Sequence, residues 1–560
     1  MSSAAGPRGA SWLFAPTAPG STFAPERLTE EHRLIRKTAD EFMANEVLPA
    51  IDHLDRKDWE CARALVVKCG ELGLLGTDVP EDYGGLAMDK VSSLIVGEAV
   101  GRLASFATTF GAQTGLTITP LLCFGTPEQK QKYLPRLVTG EILGAYALSE
   151  SGSGSDALGA RARAVTSADG SFLLSGEKMW ITSGGFADIF IVFAKVDGEA
   201  FTAFIVERAF GGVTSGSEEH KLGLHGSSTT SLLLQDARVP AENVLGEIGK
   251  GHKVAFNVLN YGRFKLAAMC SGSARFIIGE AAAYASQRRQ FGRSISEFGA
   301  VRHKLADMTI RQYAVESMLY RIAGLLDEAL DGRHNSGSVL AALEEFAIEA
   351  SIVKVAGSEM LDFVVDENVQ IHGGNGFVRD YPAERHYRDA RVNRIFEGTN
   401  EINRLLIPSM LLRRRPDLQT GREGGTTPLD AMKSAALLVL STAASSYGTA
   451  LGDQQDVLSW AADILIDVFA TDSVLARALA AVDPLSHSLH RAAADVWVND
   501  AAARVEVAAR GALAAMLRGS ELQTAASQLR ESFNLPACNT VPRRHDIAAA
   551  LLSRGAYPFA

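Results

Sequence analysis

Glu397 is followed at once by Gly398 and Thr399, which puts a carboxylate in a tight turn with backbone N–H donors beside it, a setting for an acid or base. A carboxylate at a helix start, near the positive end of the dipole, would give the same pattern. Residues 146–159 read YALSESGSGSDALG, small residues whose N–H groups and hydroxyls can approach carbonyl or phosphate oxygens closely. A flexible Gly/Ser connection between domains has the same composition. Trp180 and Thr182 lie two apart at the end of a β-type run, so alternation turns both to one face, where a ring and a hydroxyl can meet one flat ligand. The competing reading of Trp180 is a core side chain with its N–H satisfied. A third polar stretch, 370–380, precedes Arg385 and Asp389.

Other chemistries are excluded. No G-x-G-x-x-G opens a helix after a strand, and 246–252 only mimics a phosphate loop, because His252 follows the last glycine where Lys is needed. The 12 histidines include no H-x-x-x-H pair, which leaves a zinc hydrolase without support. Cys61, Cys69, Cys123, Cys270 and Cys538 show no metal spacing, so a reducing compartment and no bound metal are expected. The 55 basic against 65 acidic residues, net −10, argue against nucleic-acid binding.

The elements that must position these residues follow from periodicity. With 560 residues, 47% hydrophobic and 21% charged, the chain has room for three or four domains with sizeable cores. Residues 1–27 form a small, Pro-rich arm of untidy structure with no secretory signal. From Thr29, a helix cap, helical patterns run through 28–140. Short β-type runs at 172–176, 189–194, 201–206 and 231–234 have no helix between them, which predicts an antiparallel β-domain over 141–250. Helical periodicity returns over 251–412, with segments at 254–287, 301–330 and 340–365. A Gly-rich linker at 413–428 leads to a helical extension over 429–560. The uncharged stretches 106–127 and 434–452 are diluted by Thr, Ser and Gly and predict no membrane span, so a soluble chain is expected. The fold class is thus α+β and multidomain.

In this order, the three polar stretches resemble the acyl-CoA dehydrogenase family. Residues 147–159 match its flavin-loop signature without a gap, and 370–389 match its C-terminal signature at each specified spacing. Further fits lie at 80–85, 260–264 and 288–292, and the likeness spans roughly 28–408. The 262–264 and 204–213 stretches and the extra C-terminal domain look like the very-long-chain branch and its assembly-factor relative.

The resemblance implies an N-terminal α-domain, a central β-domain and a four-helix bundle with FAD between them. It implies oxidation of acyl-CoA to trans-2-enoyl-CoA, with electrons passed to an electron-transfer flavoprotein. Glu397 matches the α-proton base; other branches carry the base at the position that is Gly262 here, and glycine cannot serve. Leu148, Ser149, Gly154 and Ser155 match the loop that meets FAD, and Trp180 and Thr182 the residues against its ring system. Arg288, Phe291, Gln370 and Gly374 match residues that reach the neighbouring subunit's FAD, which implies a homodimer, while Thr399 and Glu401 fall near its adenine part. Ser155, Arg263 and Gly398 match positions that meet the acyl-CoA. Gly97, Gly101, Gly111 and Gly115 open a deep acyl tunnel or are helix-packing glycines. In the resembling branch the extension supports dimerisation and membrane-surface contact. Arg413, Arg414 and Arg415 could attract anionic lipid or be merely solvated. The location implied is cytoplasmic in a bacterium, or the mitochondrial matrix or inner-membrane surface in a eukaryote. An acyl-CoA oxidase using dioxygen and a scaffold or assembly protein that keeps the fold are the alternatives.

Overall fold

The computed structural model describes residues 8–20, 22–415, 427–481 and 484–559. Thr29 caps the first long helix, Glu30–Phe42: its hydroxyl accepts from His32 N–H at 3.2 Å while its own N–H donates to His32 Nδ1, a reciprocal cap. Thr126 and Gln129 repeat the device at the start of Pro127–Val138. Between them Lys90–Val100 is buried along its whole length against the 37-residue helix Gly251–Gln287. The two approach so closely that a Cβ on Gly272 would sit 1.7 Å from the Glu98 carbonyl oxygen, so only glycine fits there. The uncharged stretch after residue 103 forms three successive helical turns, Ala104–Gln113, Thr114–Ile118 and Thr119–Phe124, packed inside the domain.

The middle of the chain folds into eight strands: β1 Gly144–Ala147, β2 Arg163–Thr166, β3 Phe172–Thr182, β4 Ile189–Val196, β5 Ala200–Glu207, β6 Val213–Glu218, β7 Thr229–Val239 and β8 Val244–Leu245. Their order is β6-β7-β3-β2-β4-β5-β8, with β1 beside β4. Most neighbours are antiparallel, as expected, but β1 and β2 both run parallel to β4, end to end along the edge opposite β5, with the loop 148–162 between them continuing the chain in one direction rather than turning it back as a hairpin. The apolar runs of β4 and β5 are buried on both faces, one face against the helices.

A helical bundle follows, built from Gly251–Gln287, Gly299–Leu330, Ala347–His372 and Asn400–Arg414. The segment expected as one helix over 340–365 is two, Ser336–Glu345 and Ala347–His372, broken where Phe346 turns its bulky ring into the core. The last of the four helices continues to Arg414, into the expected linker; the rest of that linker to 426 lies outside the described residues. Arg414 donates to the Glu344 and Glu345 carbonyls, and Arg415 lies over the Phe14 ring, so neither is merely solvated.

Of the N-terminal arm, the described residues 8–20 and 22–27 pack against the rest of the chain, which its loose composition did not lead one to expect. Trp12 and Leu13 are buried; Trp12 Nε1 donates to Glu349 at 2.9 Å and its ring packs on Phe469, so two large apolar side chains anchor a segment whose composition reads as loose. Arg477, in the extension helix Gln455–Ala480, bonds both Glu26 of the arm and Glu316 of the bundle. The residues 428–453 form one helical segment long and apolar enough to cross a membrane, yet Met432, Ala436, Val439 and Leu440 are buried against neighbouring helices.

Candidate functional site

Glu397 sits in the turn between residues 391–394 and the helix Asn400–Arg414, at φ 58°, followed by Gly398 at φ 75°. A non-glycine residue there costs on the order of 1–2 kcal/mol and persists only where its surroundings impose it. They do so through the carbonyls. Arg263 Nε donates to Glu397 O at 3.3 Å, Lys354 Nζ to Gly398 O at 2.7 Å, and the Asn403 amide to Gly398 O and Thr399 O at 2.9 and 3.0 Å. Thr399 caps the following helix, accepting from Ile402 N–H. With its carbonyls held from behind, the turn keeps its N–H side free: no group among the described residues accepts from Glu397 N–H.

Glu397 lines a cavity whose walls include Gly111, Gly115, Thr182, Gly262, Leu266 and Met269. The residue is half-buried, but its Oε2 is fully enclosed and has no hydrogen-bond partner. Burial pushes its carboxyl up to about 7, against the pull of the Arg263 and Lys354 charges. A Cβ on Gly262 would lie 2.5 Å from Oε2, so the glycine makes the room in which the carboxylate stands. Tyr146 Oη is a second enclosed polar atom without a partner, and it feels the Glu397 charge.

The β-domain supplies the other wall. Thr182 lines the cavity and Trp180, 56% exposed at φ 58°, does not enter the protein core. The register of β3 shifts between Lys178 and Ile181, and Ile181 alone of the last three residues is buried in the sheet, leaving Trp180 and Thr182 on the outward side. Met179 N–H donates to Ser149 O, which joins this strand end to the 148–155 loop. In that loop Leu148 and Ser149 are half-buried, Gly154 and Ser155 exposed, and a Cβ built on Gly154 would meet open space. A bare indole, free small residues and the orphaned atoms opposite suit a flat conjugated ring bound between the sheet and the turn.

Several residues that shape the site carried no readable signal. Glu150, inside the Gly/Ser loop, accepts from the backbone N–H groups of Arg161 and Ala162 and from Lys178 Nζ at 2.6 Å, which closes the loop; Lys178 is 0% exposed. Lys354 and Asn403 hold the turn and sit on helices with no motif of their own. Their only trace is a charged or amide residue amid an apolar helical stretch.

The expected residues divide in space. Glu397 and Thr182 share the cavity, and Gly398 forms the turn. Arg263 is buried behind that turn, bonded also to Asn260, and does not line the cavity. Thr399 acts as a helix cap and Glu401 is exposed beside it. Arg288, Phe291, Gln370 and Gly374 are exposed and line no part of the cavity; Phe291 is 92% exposed and Phe377, in the 370–380 stretch, 86%. Of the four glycines, Gly111 and Gly115 line the cavity, Gly97 packs on Ala268, and Gly101 does both: it lines the cavity and its Cβ would strike the Met269 carbonyl. Among the described residues no cluster of His, Cys, Asp or Glu could hold a metal.

Models of the N-terminal, middle and C-terminal domains of acyl-CoA dehydrogenases match residues 29–141, 145–237 and 249–412, and a second C-terminal domain model matches 431–531. A probable acyl-CoA dehydrogenase of Bacillus subtilis is 42% identical, with 98% of each chain covered. The very long-chain specific mitochondrial enzyme of Macaca fascicularis is 38% identical over 78% of this chain and 73% of its own. A crystal structure of an acyl-CoA dehydrogenase complexed with FAD from Bacillus anthracis superposes with TM-score 0.95 at 43% identity, covering 98% of this chain and all of its own. The chain therefore belongs to the acyl-CoA dehydrogenase family of FAD-dependent oxidoreductases.

Proposed function

We propose that the protein removes an α-proton and a β-hydride from a long-chain or very-long-chain acyl-CoA, forming the trans-2-enoyl-CoA, with Glu397 as the base. The observation that carries this is the enclosed, unpartnered Glu397 carboxylate at the wall of an otherwise largely apolar cavity. Desolvation raises its affinity for a proton, which matches a base to a weakly acidic α-carbon near neutral pH. The unpaired Glu397 N–H would donate to the thioester carbonyl, whose oxygen gains charge as the proton leaves. Gly262 leaves the space in which the Glu397 carboxylate stands, while Arg263 and Lys354 hold the turn and their charges limit the rise in its proton affinity. Bound FAD supplies the acceptor for the hydride. Trp180, Thr182, Leu148, Ser149, Gly154 and Ser155 would hold it on the β-domain side, and Thr399 and Glu401 near its nucleotide end. Exposed Phe291 and the 370–377 stretch support a homodimer in which Arg288, Phe291, Gln370 and Gly374 reach the other subunit's cofactor.

Electrons would leave through an electron-transfer flavoprotein. Anaerobic mixing with acyl-CoAs of graded length tests the whole reading: bleaching of the flavin by long chains, abolished in Glu397→Gln with FAD retained, is expected. No bleaching by any length would refute it. Rapid recovery of colour in air would show an oxidase instead.

A further inference from the structure

Two contacts fix how the Gly251–Gln287 helix runs past the helix Ala383–Ala390 and the turn that follows it. At one end a Cβ built on Gly262 would lie 2.5 Å from the Glu397 carboxylate. At the other, Glu280 bonds His386 Nε2 at 2.9 Å, and the Phe276 ring meets the same imidazole edge-on at 6.3 Å. The two segments therefore run in opposite directions with the cavity between them. Leu266, Met269 and Ser273 line it from one side, and Asn393, Asp389 and His386 from the other. Ser273 precedes Glu280 by two helical turns, so it stands on the face of its helix that His386 meets. It lies eleven residues beyond Gly262, about 16 Å along the axis at 1.5 Å per residue, a length that an extended chain of roughly a dozen carbons covers.

The polar groups at this far part of the cavity are not all spent on one another. Asp389 accepts from Leu224 N–H, and Thr108, also in the wall, donates back to the Ala104 carbonyl of its own helix. The Ser273 hydroxyl makes no hydrogen bond with any described residue, although the residue is buried. His386 uses Nε2 on Glu280, and its Nδ1 has no partner among the described residues. A carboxylate at Nε2 holds the ring proton there, so the neutral imidazole presents Nδ1 as an acceptor, across the cavity from a serine that can donate. An alcohol gives one hydrogen bond and takes another, which matches that pair. A plain alkyl chain would strand both groups or leave water beside them.

We propose that Ser273 and His386 form a subsite for a hydroxyl carried far along the acyl chain, so that the cavity favours long acyl-CoAs hydroxylated at one distal position. The inference rests on the proposed function, which runs the acyl tail along this cavity, and the span it needs agrees with a long chain. Its test is binding without turnover. In Glu397→Gln holoenzyme, calorimetry reads the Kd of unbranched long-chain acyl-CoAs and of the same chains hydroxylated at successive distal carbons, in both enantiomers, with the pair intact, as Ser273→Ala and as His386→Gln. At one position the hydroxylated ligand is expected to bind at least about tenfold tighter than the plain chain, and each substitution to reduce that preference at least about threefold, while the plain chain holds or gains affinity in Ser273→Ala. Failure of every hydroxylated chain to bind tighter than the plain one, or a preference that either substitution leaves unchanged, overturns it. If His386→Gln fails to fold, His386→Asn serves in the same measurement. Bleaching of the wild-type flavin by plain long-chain acyl-CoAs, with no gain from a hydroxyl at any position, would sink this inference and leave the proposed function standing; bleaching by neither class would sink the latter.

Discussion

Glu397→Gln should raise stability while it removes activity, and the pH dependence of that gain is the sharpest check on the site. Glutamine keeps the volume and is neutral in both the folded and unfolded states, so it imitates the protonated carboxyl. In the folded protein the carboxyl rises from 4.5 to about 7, because desolvation outweighs the attraction of Arg263 and Lys354. At about 1.4 kcal/mol for each tenfold change in proton affinity, the ionised side chain costs on the order of 3 kcal/mol of stability. The sign follows from proton counts. Between the two values the folded state holds more protons than the unfolded one, so stability falls as pH rises through that window. The cost is absent below it and complete above about 7. Urea unfolding of holoenzyme and variant at equal FAD occupancy should give the variant an advantage of under about 1 kcal/mol near pH 5, approaching ~3 kcal/mol at pH 8. Flavin bleaching in the same preparation should slow by about 10²–10⁴-fold. A variant no more stable at pH 8 than at pH 5, relative to wild type, would mean that the carboxyl is solvated, and the argument for its basicity would fail.

Lys354→Met removes a positive charge that favours the ionised form of Glu397, so the rising limb of the rate of flavin reduction against pH should move to higher pH. A loss confined to the plateau, with the limb unmoved, would assign Lys354 only to holding the turn. Gly111→Leu would fill the cavity beside the Met269 methyl, 3.3 Å from a Cβ built at that position, and should cut kcat/KM for long acyl-CoAs at least about tenfold more than for short ones. Equal losses at all lengths would place the tail elsewhere. Lys178→Met strands the Glu150 carboxylate in the interior and should cost about 3–5 kcal/mol together with much of the bound FAD, read by thermal melts and flavin absorbance. Adding Glu150→Gln should recover part of both; no recovery would mean that the pair is not what closes the 148–155 loop.

Local chemistry made some elements readable and long-range packing hid others. The start of Glu30–Phe42 follows from Thr29, a cap residue acting over a single helical turn, and β4 and β5 from unbroken apolar runs. What composition could not convey is a partner far along the chain. Trp12 reads as part of a loose arm until Glu349 and Phe469 are brought to it, and the parallel pairing of β1 and β2 with β4 joins segments some 40 residues apart that no periodicity records. The site divides in the same way. Glu397 and Gly398 were visible because a carboxylate followed by glycine and threonine suits a tight turn with backbone donors beside an acid or base, whereas the residues that impose the positive φ come from two other helices, through Arg263 and Lys354, and from the next turn, through Asn403. The glycines show the limit most clearly. Gly97 and Gly111 are the same residue type on neighbouring helical stretches, yet one accommodates Ala268 and the other opens onto the cavity. A missing side chain has the same chemistry in both places, and only the atoms across from it decide whether the space is packing or a path for substrate.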